Sequence, residues 1–192
     1  MRKSRGEIHV LQIKHLDFRF ENSLVKVVAN RNMAETKLAG LTVGPFEEGN
    51  EYELYFWVAA SLAAQGIVHF REETRFGPTE LYKAQWKERV QVAGQISELP
   101  EDFYPRLRRY LAETKKEATH LEKMQEHEKG KQLACDIVNS RLRKIVALSS
   151  GPAQTDQITK RMAKEERLIY EQLTRLITDW RNRILTCTDG GT

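Results

Sequence analysis

TDQITKRMAKEERLIYEQLTRLITDWRNRIL, residues 155–185, is the longest periodic stretch of the chain. Its apolar residues Met162, Ile169, Leu173, Leu176, Trp180 and Ile184 recur at steps of three, four and seven. That spacing lines one side of a helix in the manner of a coiled-coil seam. A helix from Thr155 to Leu185 spans roughly 45 Å. A small helical module cannot cover every apolar side of so long a helix, so surplus apolar surface is expected, and with it a partner.

Upstream, residues 78–154 read as helical throughout. A helix is predicted from about Lys131 to Ser149, with Val138, Leu142, Ile145 and Val146 as its apolar stripe, closed by Gly151-Pro152. Arg141, Arg143 and Lys144 are expected to face away from the stripe. The polar run from His120 to Lys131 is expected to be a solvated helix end or a loop. Pro105 is tolerated only in a first turn, so another helix must begin near Asp102, an N-cap residue type. Phe103, Leu107, Tyr110, Leu111 and Leu121 mark its buried side. A further helix starts at Pro78, a good first helical position, and runs towards Ile96 until Pro100 stops it. Leu81, Tyr82 and Trp86 are read as its one apolar face.

Residues 1–77 read differently. Leu24 to Ala29, LVKVVA, is rich in β-branched residues and predicts a strand. Lys37 to Val43 predicts a second strand, ended by the Gly44-Pro45 turn signal. Glu47 to Asn50 is a polar loop tip. Leu54, Val58 and Leu62 then recur every fourth residue, with Trp57 beside them, predicting a helix over 51–65 with Gly66 just past its end. Ile67 to Phe70 reads as a short strand. The fold class is therefore α+β: a small N-terminal β-containing module over 1–77, then an all-α helical bundle over 78–192.

The charge is divided along the same line. Through Gly77 there are ten Lys and Arg against ten Asp and Glu, so the net +4 of the 192-residue chain belongs to the residues that follow. This excess falls short of a dedicated DNA-binding domain. Hydrophobic residues make up 40% of the chain, enough for packed cores. Cys135 and Cys187 are far apart and in no ligand spacing, as expected of reduced thiols. The basic N-terminus lacks the apolar run of a signal peptide, and the longest apolar segment, Leu54 to Ala64, is too short to span a membrane. The expectation is a soluble, cytoplasmic protein.

No constellation for chemistry emerges. Phosphate loops, HExxH, CxxC and GxSxG patterns are all missing. Ser23 and Lys26 match an SxxK pattern at the mouth of a strand but lack its companion motifs. His120 and His127 share a helix face at seven-residue spacing without a third ligand. Carboxylate pairs such as Glu47-Glu48, Glu72-Glu73 and Glu165-Glu166 read as solvated faces. Neither catalytic nor metal site is expected, nor any cofactor. The basic clusters at 106–109, 141–144 and 160–167 read chiefly as surface ion pairs. Arg143 and Lys144 are candidate DNA contacts, and Arg141, adjoining the apolar stripe, is a candidate for a structural role at an interface.

The run LAGLTVGPFEEG, Leu38 to Gly49, resembles the glycine–proline–phenylalanine loop of GINS subunits. Glu53, the helix start Phe56-Trp57-Val58-Ala59, and the Gly66-Ile67-Val68 strand follow in the family's order. LPEDFY, Leu99 to Tyr104, is similar to its leucine–proline then phenylalanine–tyrosine signature. The β-first order matches the archaeal subunit related to eukaryotic Psf two and Psf three. The sequence departs from the usual pattern at Leu54-Tyr55-Phe56-Trp57, which replaces Val-Pro-Leu-Trp.

The resemblance implies a non-catalytic role in DNA replication at chromosomal forks. It implies a 2:2 heterotetramer with an α-module-first GINS subunit that scaffolds and activates the MCM helicase with a RecJ-like partner. Phe46 and Trp57 would then anchor the first module. The candidate interface residues are Phe103, Tyr104, Leu107 and Leu111, then Val138, Arg141, Leu142 and Ile145, then Ile169, Leu173, Leu176 and Trp180. For Phe103 and Tyr104 a core role at a helix start is an equal reading. The rival to the whole is a nucleic-acid-binding regulator dimerising through its helices.

Overall fold

The computed structural model describes residues 5–71, 76–91, 95–152 and 156–186, with side chains from residue 12 onward. The chain forms two compact units, residues 1–75 and 76–192. Cys187 and the Glu72-Glu73 pair lie outside the described residues.

The first unit begins with α1 (Arg5–Glu21), a helix the periodicity did not predict. Strand β1 (Leu24–Ala29) follows, and a hairpin of β2 (Thr36–Leu38) and β3 (Leu41–Val43) stands as a separate two-stranded sheet. The expected single strand over 37–43 is thus folded back on itself. Ala39 and Gly40 turn it, both at positive φ (47° and 84°), the pairing a tight two-residue hairpin loop requires. Next come β4 (Glu51–Tyr55), α2 (Phe56–Ala64) and β5 (Val68–Phe70). β1 is the central strand of an antiparallel sheet ordered β4-β1-β5, with Val27 opposite Tyr52 on one side and Phe70 on the other.

The helix expected over 51–65 therefore starts five residues late. In Glu51–Tyr55 the two inward residues, Tyr52 and Leu54, alternate with exposed ones. That period of two belongs to a strand, and the fourfold recurrence of Leu54 with Val58 is coincidental. Val27 and Ala29 face the core with Val58, Ala59 and Leu62 of α2. Phe46 follows the cis Gly44–Pro45 bond and is nearly fully buried, edge-on to Tyr52 at 4.7 Å. Its backbone exchanges two hydrogen bonds with Met33, at 2.8 and 2.9 Å. Trp57 packs half-buried against the same core. Gly66 leaves α2 at φ +69°.

The second unit is made of α3 (Pro78–Val90), α4 (Phe103–Glu117), α5 (Leu121–Ser150), α6 (Asp156–Lys160) and α7 (Lys164–Thr186). Pro78 occupies the first turn of α3, and the Gly77 amide is capped by the Glu80 carboxylate at 3.1 Å. α3 stops at Val90, so Ile96 is buried in extended chain instead of helix. Its inward face is Leu81, Ala84 and Glu88, whereas Tyr82 and Trp86 are exposed. α4 starts at Phe103 behind Asp102. α5 starts ten residues earlier than expected and includes the polar run after His120; Leu121 at its start is exposed. In mid-α5, Gly130 lies against Tyr110 of α4. A Cβ there would meet Tyr110 ring atoms at 3.1 Å, so the glycine makes room for the phenol.

The largest correction concerns Arg141. It points inward, between Ile137 and Ile145, with no solvent exposure. The inward face of α5 is Ala134, Ile137, Arg141, Ile145 and Leu148; of the expected stripe Ile145 is inward, while Val138, Leu142 and Val146 lie roughly 60–140° around the helix from Arg141. The guanidinium meets Glu166 of α7 through both Nε and Nη2, the latter at 2.6 Å. Its Nη1 donates to Glu88 of α3 at 3.0 Å, to the Ser97 carbonyl at 2.9 Å and to the Ser97 hydroxyl at 3.1 Å. Glu166 also accepts from the Tyr104 hydroxyl at 2.7 Å and from the Ala163 amide at 3.0 Å.

That last bond explains why the predicted 155–185 helix is broken. At Arg161–Ala163 the chain leaves the helix and restarts at Lys164, with Glu166 reaching back to cap the new start. The freed Arg161 carbonyl accepts the Leu99 amide at 3.1 Å, and Met162 fills the bend fully buried.

Removing a buried cation leaves its carboxylates uncompensated, which costs about 3–5 kcal/mol. Arg141→Ala is expected to lose that much stability in denaturant titration of the chain. Arg141→Lys should recover little, because an ammonium cannot reproduce the two-sided contact.

A pH dependence follows from Glu88. Burial alone raises its carboxyl, but the adjoining Lys144 ammonium, the hydrogen bond from Ser97 and the charge of Arg141 outweigh this and hold it below the usual value of 4.5. In that range the folded chain binds fewer protons than the unfolded one, so stability rises with pH. The contribution is complete above about 4.5 and disappears as pH falls through the lower folded value. Thermal melts at falling pH should show the loss beginning below 4.5, and Glu88→Gln should flatten it.

Candidate subunit interface

Among the described residues, no group of three or more His, Cys, Asp or Glu is placed to hold a metal ion. No described helix is long and apolar enough to cross a membrane. The Ser23 hydroxyl donates to the Phe20 carbonyl at 2.7 Å, capping the end of α1. His127 pairs with Thr114 at 2.8 Å. Cys135 is exposed and free.

What the surface does offer is apolar. The first half of α7 is covered by its own unit: Glu166 by Arg141, and Tyr170 and Leu173 by the cluster of Ile96, Ile145, Leu148 and Met162. Helical periodicity places Leu176, Trp180 and Ile184 on the continuation of this face. There the cover ends. Leu176 is 60% exposed, Trp180 62% and Ile184 54%. A polar contact also reaches this part of α7, from Arg181 to the Ser150 carbonyl at 2.7 Å. One continuous seam is thus core at its start and open surface at its end. On α5, Val138, Leu142 and Val146 form a second partly exposed stripe. It lies on the flank opposite Lys144 and Asp136, which reach α3.

The candidate interface residues therefore divide. Phe103, Leu107, Arg141 and Ile145 are covered by this chain's own atoms and belong to the core of the unit, which for Phe103 is one of its two expected roles. Leu111 and Leu173 are partly buried against the same unit. Tyr104 donates to Glu166, and burial together with the Glu166 and Glu165 carboxylates pushes its phenol well above the usual value. Val138, Leu142, Ile169, Leu176 and Trp180 remain exposed. Missed by the sequence reading is a third stripe, Tyr82, Trp86 and Val90, on the outer side of α3. Its spacing of four is visible in the sequence, but the expected buried face grouped Tyr82 and Trp86 with Leu81, and of these only Leu81 is buried.

The basic clusters are largely consumed internally. Arg108 makes a bidentate pair with Glu165 at 2.6 and 3.0 Å, and Arg109 pairs with Glu113 at 2.9 Å. Lys164 and Arg167 grip Glu101 at 2.9 and 2.7 Å, and their hydrogen bonds hold its carboxyl below the usual value. Lys144, a candidate DNA contact, lies 2.8 Å from Glu88 Oε1 and donates to the Glu88 carbonyl at 2.9 Å. Its approach to Oε1 is at ion-pair distance without hydrogen-bond alignment, and charge is what compensates that buried oxygen. Lys144 is thus committed to the interior network, while Arg143 is exposed.

Two family models match the chain. That of the PSF2 N-terminal domain covers residues 12–69, and that of the GINS complex protein helical bundle domain covers residues 75–185. Comparison with curated proteins gives no match.

The two adjacent cations of α5 should behave oppositely. Lys144→Ala strips a buried carboxylate of one partner and is expected to cost about 1–3 kcal/mol in denaturant titration. Arg143→Ala, at an exposed position, should stay within about 0.5 kcal/mol of the parent.

Proposed function

The chain belongs to the GINS family, and on that premise we propose that it is the β-module-first subunit of a mixed GINS assembly that scaffolds and activates the replicative MCM helicase. It is a GINS complex subunit in DNA replication, and association with other GINS subunits goes with that membership. The finer reading is a 2:2 heterotetramer with an α-module-first subunit, of archaeal type, with MCM and a RecJ-like protein as its further partners. Its work is to hold other proteins together, without a catalytic centre or cofactor.

One observation carries the assembly reading: the α7 seam runs out of its own core at Leu173 and continues as exposed Leu176, Trp180 and Ile184. Full burial of such side chains is worth about 1.5–3 kcal/mol each. Aromatic and aliphatic anchors of this kind are what subunit interfaces bury at their centres. The exposed Val138, Leu142 and Val146 of α5 extend the apolar surface available on the same unit.

Co-expression with an α-module-first GINS subunit, followed by light scattering, tests the reading. The parent chain should elute as a mixed assembly of about four chains. Trp180→Asp should release it, while circular dichroism and melting of the isolated chain stay near the parent, because Trp180 is not core. A chain that forms only a homodimer and ignores the second subunit would favour the dimeric-regulator reading and end this one. A Trp180→Asp chain that assembles normally would remove the seam from the interface.

A further inference from the structure

The outer face of α3 is unlike the α7 seam, and we propose that it binds single-stranded nucleic acid. The assignment goes beyond the assembly role and does not depend on where the subunits meet. α3 buries Leu81, Ala84 and Glu88, so its opposite side presents Tyr82 and Trp86, 55% and 67% exposed, followed by Val90. Residues one turn apart stand about 5–6 Å from each other on a helix, so the two rings form neighbouring flat platforms.

Cations predominate on this face. Lys83, Lys87 and Arg89 are exposed around the rings. Arg89 also lines a shallow groove between α3 and α5 whose far wall carries Arg143. Three carboxylates near it are hydrogen-bonded or paired. Glu80 caps the Gly77 amide, and Glu88 is turned inward to Arg141 and Lys144. Asp136, in the groove, accepts from Gln85 at 3.2 Å and from Gln132 at 3.1 Å. The fold has thus drawn Glu88 away from the surface on which the cations and rings of α3 stand, and left Glu80 at its N-terminal edge.

A polyanion with exposed π-faces complements such a surface. Unpaired bases stack on the rings while the phosphates meet the lysines and arginines, and stacking tolerates any sequence. Paired bases in a duplex have no free face to offer, which favours the single strand. A helical protein partner is the weaker match. Such a partner suits the Leu and Ile positions of α7, whereas a ring of cations would have to be desolvated on association.

The probe is a fluorescent oligodeoxythymidine of about 16 nucleotides, titrated with the full chain and followed by anisotropy at low salt. The expected result is binding that weakens with salt, with a log–log slope of about −2 to −3 for three or four phosphate contacts. A duplex of equal length should bind less well. Trp86→Ala should weaken single-strand binding on the order of tenfold, while Trp86→Phe keeps most of it. Replacing Lys83, Lys87 and Arg89 together by alanine should flatten the salt slope. All of these positions are exposed, and a melting curve of each variant confirms the fold. Equal affinity of Trp86→Ala and parent would overturn the proposal, as would equal affinity for duplex. Trp86→Ala abolishing assembly with the second GINS subunit, with oligonucleotide affinity intact, would give the face to a protein partner and overturn it as well.

Discussion

The helical unit is organised around one buried positive charge. Arg141 has lost all contact with solvent, and a bare guanidinium in that position would be prohibitively costly. It is tolerable because four other segments each bring an acceptor to it: Glu88 from α3, Ser97 from the extended chain, the Arg161 carbonyl from the bend, and Glu166 from α7. Tyr104 of α4 and Lys144 of α5 complete the shell by satisfying the two carboxylates. None of these contacts is local in sequence. The network therefore specifies how the helices are placed more than it adds to their stability. Apolar side chains packed around it in two clusters supply most of the driving force.

The same charge shapes the surface. Glu166 reaches Arg141 from the first turn of α7 and at the same time caps the restart of the chain after Arg161–Ala163. From that fixed start α7 runs on past the material able to cover it. The open part of the seam is thus the far end of an element anchored by its near end. On α3 the effect is reversed. Glu88 is drawn in to the same guanidinium, and the outer side of that helix is left with rings and cations.

How much of this was legible depends on which force placed each residue. β1, the Asp102–Phe103 helix start, Pro78 and Gly66 were readable because backbone chemistry and local hydrophobic pattern set them. The order of a β-containing region and a helical bundle was legible for the same reason. The seam on α7 was legible in its spacing, though not its interruption, since the bend is enforced by a partner on another helix. Arg141 was read outward, as charged residues usually are, and Glu88 carried no signal of its own. Their inward placement depends on each other and on Ser97, Lys144 and Glu166, and no single segment carries that information. With the inward face of α5 set by Arg141, Val138, Leu142 and Val146 of the expected stripe became a flank and Ile145 stayed core; with Glu88 inward, Tyr82 and Trp86 became surface. In the first unit, Glu51–Tyr55 was misread because its alternation was overlaid by a chance fourfold spacing, and it became a strand through pairing with β1.

The notch at Gly130 couples two positions. The helix backbone gives up its Cβ there so that the Tyr110 ring can lie against it, 3.1 Å from where that atom would be. The two positions are twenty residues apart but occupy a single volume between α4 and α5. A larger residue at 130 demands a smaller or displaced ring at 110, and a lost ring would open a void that any side chain at 130 could fill. The coupling of the pair is imposed by shape alone and is independent of any partner the protein meets.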